Sequence, residues 1–599
     1  MKRVLLVGNA PLPDDNVKKR PSEGLRTWQF VKALTGGMTN GSGTSSMAGG
    51  SVGGSASSSA GEDGSRNGRV LSKMVPRSGL DLRLVTIAVD DCYDDEDLEP
   101  EVGTQASLGF ADGGSAGSGS GADAKVTRES LLRKDCKYGA NFIHHQISEN
   151  DPSLYGTLQS IIDEHKPDVI IGVNLDVCNV LSRMRFDCVF WADMAGWTMA
   201  KAQIDAYKTR NDRRLGNYLK LEENVLARAD FISVVSEAQK YTVVGELAMM
   251  KKMGAYEFDR EFVVTIENGL EDFKSDRIEK IVRTVRNSPS ADRAWSAGGF
   301  EEVEDSGLRY FRGPSSYSGA DIPSNAFVIL WLGSYSAWVD EETLFKSVEA
   351  AMAAVAGTDK GSGAEAGAGG GSGSGAGARR GSGLNRTREI YFVSTGGLSE
   401  LSKSEASVSE GANKTYLNFK EMVGLSRFKD QFKFLGWVPA KHIPYLYREA
   451  DIGINVDRRC LDTLTGSRNR LLEMMKFELP IVSTFGTELS YGMGSFGACL
   501  GVASGSVEGV RDAILELYSN PARRKDYGSK GRKYLESYCA YDRVMRPFNK
   551  WLGEFSVGAG VADDGIGRGG SGSARGSLAK GSAAIGDRAH KFLVKFGLK

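Results

Sequence analysis

Five residues between positions 467 and 473 have the types and spacing to hold a phosphorylated ligand. Ser467 suits a helix N-cap, and a helix start offers free N–H groups and a positive dipole end to a phosphate. Arg468 and Arg470 add guanidinium groups there, and such forks grip phosphate oxygens in pairs. Asn469 and Glu473 are four apart and share one helix face. An acid placed about a turn and a half past a phosphate could accept both hydroxyls of a ribose. An ordinary capped helix with a solvated charged face fits the same spacing.

Other positions are weaker chemical candidates. Asp193 follows the apolar run Phe190-Trp191-Ala192 at the expected end of a strand, where an acid could orient or deprotonate an acceptor hydroxyl. A capping Asp explains it equally well. Gly24 falls between the first strand and the first helix, and an ordinary tight turn accounts for it. The acidic run Asp90 to Asp97 reads as a solvated loop, not a metal site. No His/Cys/carboxylate cluster has metal-ligand spacing, so neither metal nor cofactor is expected. No G-x-G-x-x-G follows the first strand, which argues against a nicotinamide-dependent dehydrogenase.

The elements that must position these residues follow from the apolar pattern. Strands are expected at Arg3–Val7, Leu82–Val89, Asn141–His144, Pro167–Gly172, Cys188–Trp191, Phe231–Val235 and Phe262–Ile266. A second series is expected at 326–331, 389–394, 432–435, 451–456 and 480–483, with helices between most of them. Buried strands alternating with helices imply parallel sheets with right-handed crossovers. In such sheets, ligands bind beyond the carboxyl ends of the strands.

Gly/Ser/Ala-rich stretches at about 36–68, 103–124, 357–383 and 558–586 read as disordered insertions, since they bury too little apolar surface to offset chain entropy. The expected domains are 1–285, on the acceptor side, a linker at 286–324, a nucleotide domain at 325–538, a crossover helix at 539–556 and a low-complexity tail at 557–599. In the crossover segment, Val544, Met545, Phe548 and Trp551 recur at helical spacing, and Pro547 should interrupt or restart the helix.

Composition narrows the class. The 599-residue chain has a net charge of -1, so no global field draws it to nucleic acid. Its seven cysteines form no C-x-x-C pair, which fits a reducing, cytoplasmic setting. No stretch reaches the roughly 18 apolar residues of a transmembrane helix, and the opening apolar run stops at Gly8-Asn9, as a strand would.

Several of these motifs, taken in order, resemble family-4 glycosyltransferases of the GT-B fold. Leu472-Glu473-Met474-Met475 followed by Glu478-Leu479-Pro480-Ile481-Val482 is similar to the second half of that family's donor signature. Ala229 to Ser236, Ile266-Glu267-Asn268-Gly269, Leu330 to Ser334, and Phe434 to Pro439 resemble further family segments in the family's order. The resemblance implies two facing Rossmann-like domains with a C-terminal helix crossing back to the first. It also implies glycosyl transfer from a nucleotide-diphosphate sugar to an unidentified acceptor, with retention and without metal.

By the resemblance, Glu473 holds the donor ribose and Gly333-Ser334 cradle the diphosphate with backbone N–H groups. Trp437 and Val438 lie in the turn that reads the base, Gly24 approaches donor or acceptor, and Thr465-Gly466-Ser467 stand beside the sugar. Two departures stand out. Thr465 replaces the family's first glutamate, and no Arg or Lys follows Gly333, so Arg468 and Arg470 are expected to compensate. The same departures fit an alternative, a non-catalytic nucleotide-sugar binder or scaffold of this fold. A sugar-nucleotide epimerase is disfavoured, because the second domain lacks a convincing acid/base pair.

Overall fold

The computed structural model describes residues 1–13, 15, 17, 22–35, 71, 74–93, 132–258, 260–270, 302–305, 308–311, 322, 326–361, 388–397, 409–438 and 443–557. The expected insertions at 36–68, 103–124 and 558–586 lie outside them. The helix Glu341–Gly361 runs into the start of the insertion expected from Gly357.

Apolar runs become strands. In chain order the first eight are β1 (Lys2–Ala10), β2 (Leu80–Ala88), β3 (Lys134–Gly139), β4 (Phe142–Ser148), β5 (Val169–Val173), β6 (Val189–Met194), β7 (Phe231–Val234) and β8 (Val263–Thr265). They form one sheet of order β3-β4-β2-β1-β5-β6-β7-β8. β1 pairs in parallel with both β2 and β5, and Val4 to Val7 are fully buried, as a strand covered on both faces requires. β3 is antiparallel to β4. Its Lys134-Asp135-Cys136-Lys137 alternates half-buried with exposed positions, an edge strand too polar for the apolar pattern to register.

Two short strands, β9 (Glu302–Asp305) and β10 (Leu308–Phe311), pair antiparallel inside the stretch expected to be a plain linker. The remaining six are β11 (Phe327–Trp331), β12 (Ile390–Ser394), β13 (Phe432–Phe434), β14 (Ile452–Asn455), β15 (Ile481–Thr484) and β16 (Leu500–Val502). They form an all-parallel sheet of order β13-β12-β11-β14-β15-β16.

The chain divides into two compact units. Among the described residues, Met1–Trp191 together with 549–557 make one, and Ala192–Phe548 make the other. In the first, the C-terminal helix Arg546–Val557 supplies part of the core. Trp551 meets Trp191 edge-on with ring centroids 4.8 Å apart, and Phe555 stacks on Trp551 at 5.2 Å. Lys2 lies 4.9 Å over the Phe555 ring, and Arg77 donates to the Asn549 side chain at 3.0 Å. The C-terminal segment therefore returns to the first strands of the chain. Pro547 acts as expected: one helix ends at Val544 and the next begins at Arg546, with Pro547 in its first turn, where its missing N–H has no partner to lose.

In the second unit, two apolar clusters cover opposite faces of the six-stranded sheet. One gathers Trp331, Tyr335, Phe392, Phe419 and Phe432; the other gathers Leu471, Leu472, Met474, Met475 and Ile481. Burying each such side chain contributes roughly 1.5–3 kcal/mol. These clusters fix the strand ends and the helix on which the candidate site stands.

Candidate functional site

The helix Asn469–Lys476 is strongly amphipathic. Leu471, Leu472, Met474 and Met475 are buried, whereas Arg470 and Glu473, three apart, remain partly exposed on one face. It begins later than its sequence suggests. Arg468 holds the N-cap position in extended conformation and makes no side-chain cap, so Ser467 does not cap this helix. The reason is the destination of Arg468. Its Nε donates to Asp457 at 3.0 Å, its Nη2 to Thr463 at 3.1 Å and its Nη1 to the Ser467 carbonyl at 3.1 Å. Its guanidinium lies 3.7 Å from the Trp338 ring centroid. Arg468 is an internal strut.

Arg470 is placed differently. Its Nη2 donates to the Ser334 carbonyl at 2.9 Å, and the guanidinium stacks 4.1 Å over Trp331 and 5.1 Å from Trp338. Its Nη1 is buried without a protein partner. Burial pushes its pKa down to about 10, against the pull of Asp457, so it remains a cation at neutral pH.

Arg470 faces a platform of loops at the carboxyl ends of β11, β12 and β13. Gly333, at φ +104°, follows β11, and its N–H donates to Thr395 at 3.3 Å. Gly396, at φ +80°, approaches so closely that a Cβ there would lie 2.5 Å from the Gly333 carbonyl oxygen. Its N–H donates to the Gly436 carbonyl at 2.7 Å. Trp437 follows half-buried, and Val438 is buried. Tyr335 anchors the loop from below: it is fully buried, its hydroxyl pairs with that of Ser394 at 2.7 Å, and burial pushes its phenol well up.

Further buried polar atoms without partners lie at the ends of β11 and β14 and on the helix Ile443–Glu449. Trp331 Nε1, Asn455 Oδ1, Asp457 Oδ1 and the Tyr447 hydroxyl are buried without a protein partner. Tyr447 responds electrostatically to both Glu473 and Arg470. Such groups cost about 1–3 kcal/mol each when left unsatisfied, so their concentration marks a place for a ligand or water.

The other expected residues fall as follows. Thr465 ends the short helix Leu461–Thr465; its hydroxyl donates to the Leu461 carbonyl at 2.8 Å and its carbonyl accepts from Ser236 at 2.6 Å. Gly466 follows it, with Ser467 and Asn469 half-buried beyond. Asp193 is wholly buried in β6 and accepts from Ser233 at 2.5 Å. Gly24 lies in the first turn of the helix Ser22–Thr35. A Cβ there would lie 1.9 Å from the Pro11 carbonyl oxygen, and close packing of that loop explains the glycine. Glu478 adopts φ +54°, uncommon for a residue with a Cβ, at the position where the resembled signature carries glycine.

Sequence reasoning missed Trp338, Asp457, Thr463 and Tyr447, because nothing in their local spacing marks them. It also missed the support under Trp338. Arg458 donates its backbone N–H to the Trp338 carbonyl at 2.8 Å and its side chain to Glu341 at 3.1 Å, and Lys208 donates to Glu341 at 2.6 Å with both side chains buried.

Among the described residues, no group of three or more His, Cys, Asp or Glu side chains could hold a metal ion. No helix among them is long and apolar enough to cross a membrane.

No protein-family model matches the sequence, and no curated protein matches it. Solved structures do resemble it. An α,α-trehalose 6-phosphate synthase from Burkholderia multivorans is 9% identical with a TM-score of 0.51, covering 95% of this chain and 99% of its own. A UDP-forming α,α-trehalose-phosphate synthase from Burkholderia vietnamiensis is 9% identical with a TM-score of 0.49, over 93% and 99%. A sucrose-phosphate synthase from Thermosynechococcus elongatus is 11% identical with a TM-score of 0.48, over 92% and 99%. The chain thus has the α/β GT-B fold, with two Rossmann-like parallel sheets and a returning C-terminal helix.

Proposed function

We propose that the chain is a glycosyltransferase that takes a sugar from a nucleotide-diphosphate donor held by the six-stranded sheet. The observation that carries this reading is the Arg470 Nη1, a buried cationic donor with no partner, beside the Gly333-Ser334 loop at the carboxyl end of β11. A diphosphate satisfies that nitrogen and the loop N–H groups together. Glu473, one turn along the same helix, is assigned to the ribose, Trp437 and Val438 to the base, and Thr465, Gly466, Ser467 and Asn469 to the sugar side.

The bond between the anomeric carbon and the diphosphate oxygen breaks, and a bond to an acceptor oxygen forms. The acceptor's hydroxyl proton leaves to solvent or to the departing diphosphate. Arg470 stabilises the charge that develops on that diphosphate, a preorganised electrostatic contribution. Arg468 contributes by holding Trp338, against which Arg470 packs. The resemblance to family-4 enzymes adds retention of configuration and independence of metal.

Titration calorimetry with UDP, GDP and ADP tests the reading. At least one should bind, and Arg470→Ala should weaken it by roughly 1.5–3 kcal/mol, the scale of a charged hydrogen bond. Equal binding by parent and variant would sink the assignment.

The non-catalytic reading draws on Thr465, whose hydroxyl donates its proton within its own helix and so brings no charge, and only acceptor capacity, to a donor sugar. Release of nucleotide diphosphate from UDP-glucose, GDP-mannose or ADP-glucose favours the enzyme. Binding without release from any of them favours the scaffold.

A further inference from the structure

The loop 332–340 joins β11 to the helix Glu341–Gly361, and it opens with Gly333-Ser334, the pair assigned to the diphosphate. Its near end is held by Thr395, which accepts from the Gly333 N–H, and by Arg470, which donates to the Ser334 carbonyl. Its far end is held by charge. The Asp340 N–H donates to the Val456 carbonyl at 3.1 Å, and the Asp340 carboxylate accepts from the Thr343 hydroxyl at 2.9 Å, which seats the first turn of the helix. Beside it, Glu341 collects three donors from distant parts of the chain: Lys208 Nζ at 2.6 Å, Arg458 Nη2 at 3.1 Å and Asn418 Nδ2 at 3.4 Å.

Lys208 differs from the other two donors in origin. Arg458 follows β14, and Asn418 lies on the helix Ser409–Leu425, so both come from around the six-stranded sheet. Lys208 comes from the last turn of the helix Thr198–Thr209, which follows β6 of the eight-stranded sheet. It shares the second compact unit with Glu341, and both side chains are less than a tenth exposed. At such depth the loss of one partner leaves the other charge poorly compensated.

We propose that Lys208 is a positioning residue of the nucleotide site: through Glu341 it fixes the far end of the 332–340 loop, and with it Trp338 and the Gly333-Ser334 turn. The proposal rests on the nucleotide reading and adds a residue from outside the nucleotide pocket. The path is short. Lys208 holds one oxygen of Glu341 and Arg458 the other; the Arg458 N–H donates to the Trp338 carbonyl at 2.8 Å, and the Arg470 guanidinium lies 5.1 Å from the Trp338 ring. A loop pinned at both ends has its ordering cost met before the ligand arrives. A lysine that served only to dock its own helix would affect stability and leave phosphate recognition unchanged.

Hydrogen exchange and calorimetry on the full chain separate the two roles. Lys208→Met keeps the apolar stem and removes the charge. Amides of 333–340 should exchange faster in this variant. Its affinity for whichever of UDP, GDP and ADP the parent binds should fall about two- to thirtyfold, the scale of coupling through a packed network. Affinity for the matching nucleoside, which carries no phosphate, should stay at the parent's value. Lys208→Arg should restore loop protection and affinity, and Glu341→Gln should reproduce their loss even if Lys208→Met folds poorly. Glu342→Ala, at an exposed neighbour paired with Lys346, should match the parent. Parental loop exchange and parental diphosphate affinity in a folded Lys208→Met or Glu341→Gln protein overturn the proposal, and so does an equal loss of diphosphate and nucleoside affinity. A parent that binds none of the three nucleotides removes the donor reading instead, and loop exchange alone then decides whether Lys208 holds the loop.

Discussion

The carboxyl ends of β1 and β11, each flanked by parallel neighbours, are equivalent places in two sheets, and they are finished in opposite ways. Beyond β1 the polar groups answer one another: Asn9 N–H donates to Thr27 at 2.9 Å, and Asn174 donates to the Asn9 side chain at 2.8 Å and to the Glu23 carbonyl at 3.2 Å. Gly24 closes the loop against Pro11. Beyond β11, Arg470, Trp331 and Tyr447 keep buried polar atoms without partners. Equal topology therefore does not mean equal readiness to bind. The end that leaves hydrogen-bonding capacity unmet is the one prepared for a ligand.

Three changes test that contrast. The largest effect belongs to Arg468→Ala. It strips Asp457 of its buried ion-pair partner, and removing one member of such a pair costs about 3–5 kcal/mol. Urea unfolding should show the loss. A variant as stable as the parent would mean that Arg468 is not the strut that distinguishes it from Arg470.

An intermediate effect concerns a third way of handling a buried polar group, which is to keep it protonated. Burial, then the neighbouring Glu246, raises Glu222 to about 8, against the pull of the Met199 and Thr198 amides and Lys201. The native state keeps this proton from the usual carboxylate range up to about pH 8, whereas the unfolded chain loses it near 4.5. Stability from this group is thus complete at low pH and lost as pH rises through that window. Glu222→Gln should flatten the decline between pH 5 and 8 in thermal melts. A slope identical to the parent's would show that Glu222 ionises freely.

The smallest effect is expected at the closed end. Asn174→Ala removes two hydrogen bonds, which contribute about 1 kcal/mol each, and should leave UDP affinity untouched. Loss of nucleotide binding comparable to that of Arg470→Ala would erase the distinction between the two strand ends.

What the sequence revealed follows the range of the forces involved. β1, β5 and β11 are continuous apolar runs buried on both faces; β5 and β11 were legible within a residue or two, whereas β1 runs three residues beyond its expected end, through Gly8-Asn9 to Ala10. So was the helix Asn469–Lys476, because four apolar residues fix its inner face. Pro547 announced its own break. The helix Thr198–Thr209 was missed. Its Lys208 is buried against Glu341, 133 residues away, and reads locally as a solvated charge. The split between Arg468 and Arg470 was equally hidden. Both are arginines at one helix start, and only the fold brings Asp457 and Thr463 to one and Ser334 to the other. The N-cap expected of Ser467 failed for the same reason, since tertiary contacts of Arg468 settled the start of that helix.

The meeting of Trp191 with Trp551 bears on how the protein is made. The first compact unit is drawn from both ends of its chain, with some 360 residues between the two indoles. On a ribosome adding roughly 5–20 residues per second, Trp191 emerges roughly 20–70 s before its partner exists. Throughout that interval, the surface that Trp551 and Phe555 will cover stands open, and the nascent chain must be kept from using it elsewhere. Synthesis in the usual order, N-terminal unit first, is therefore inverted here: the unit that begins first is completed last.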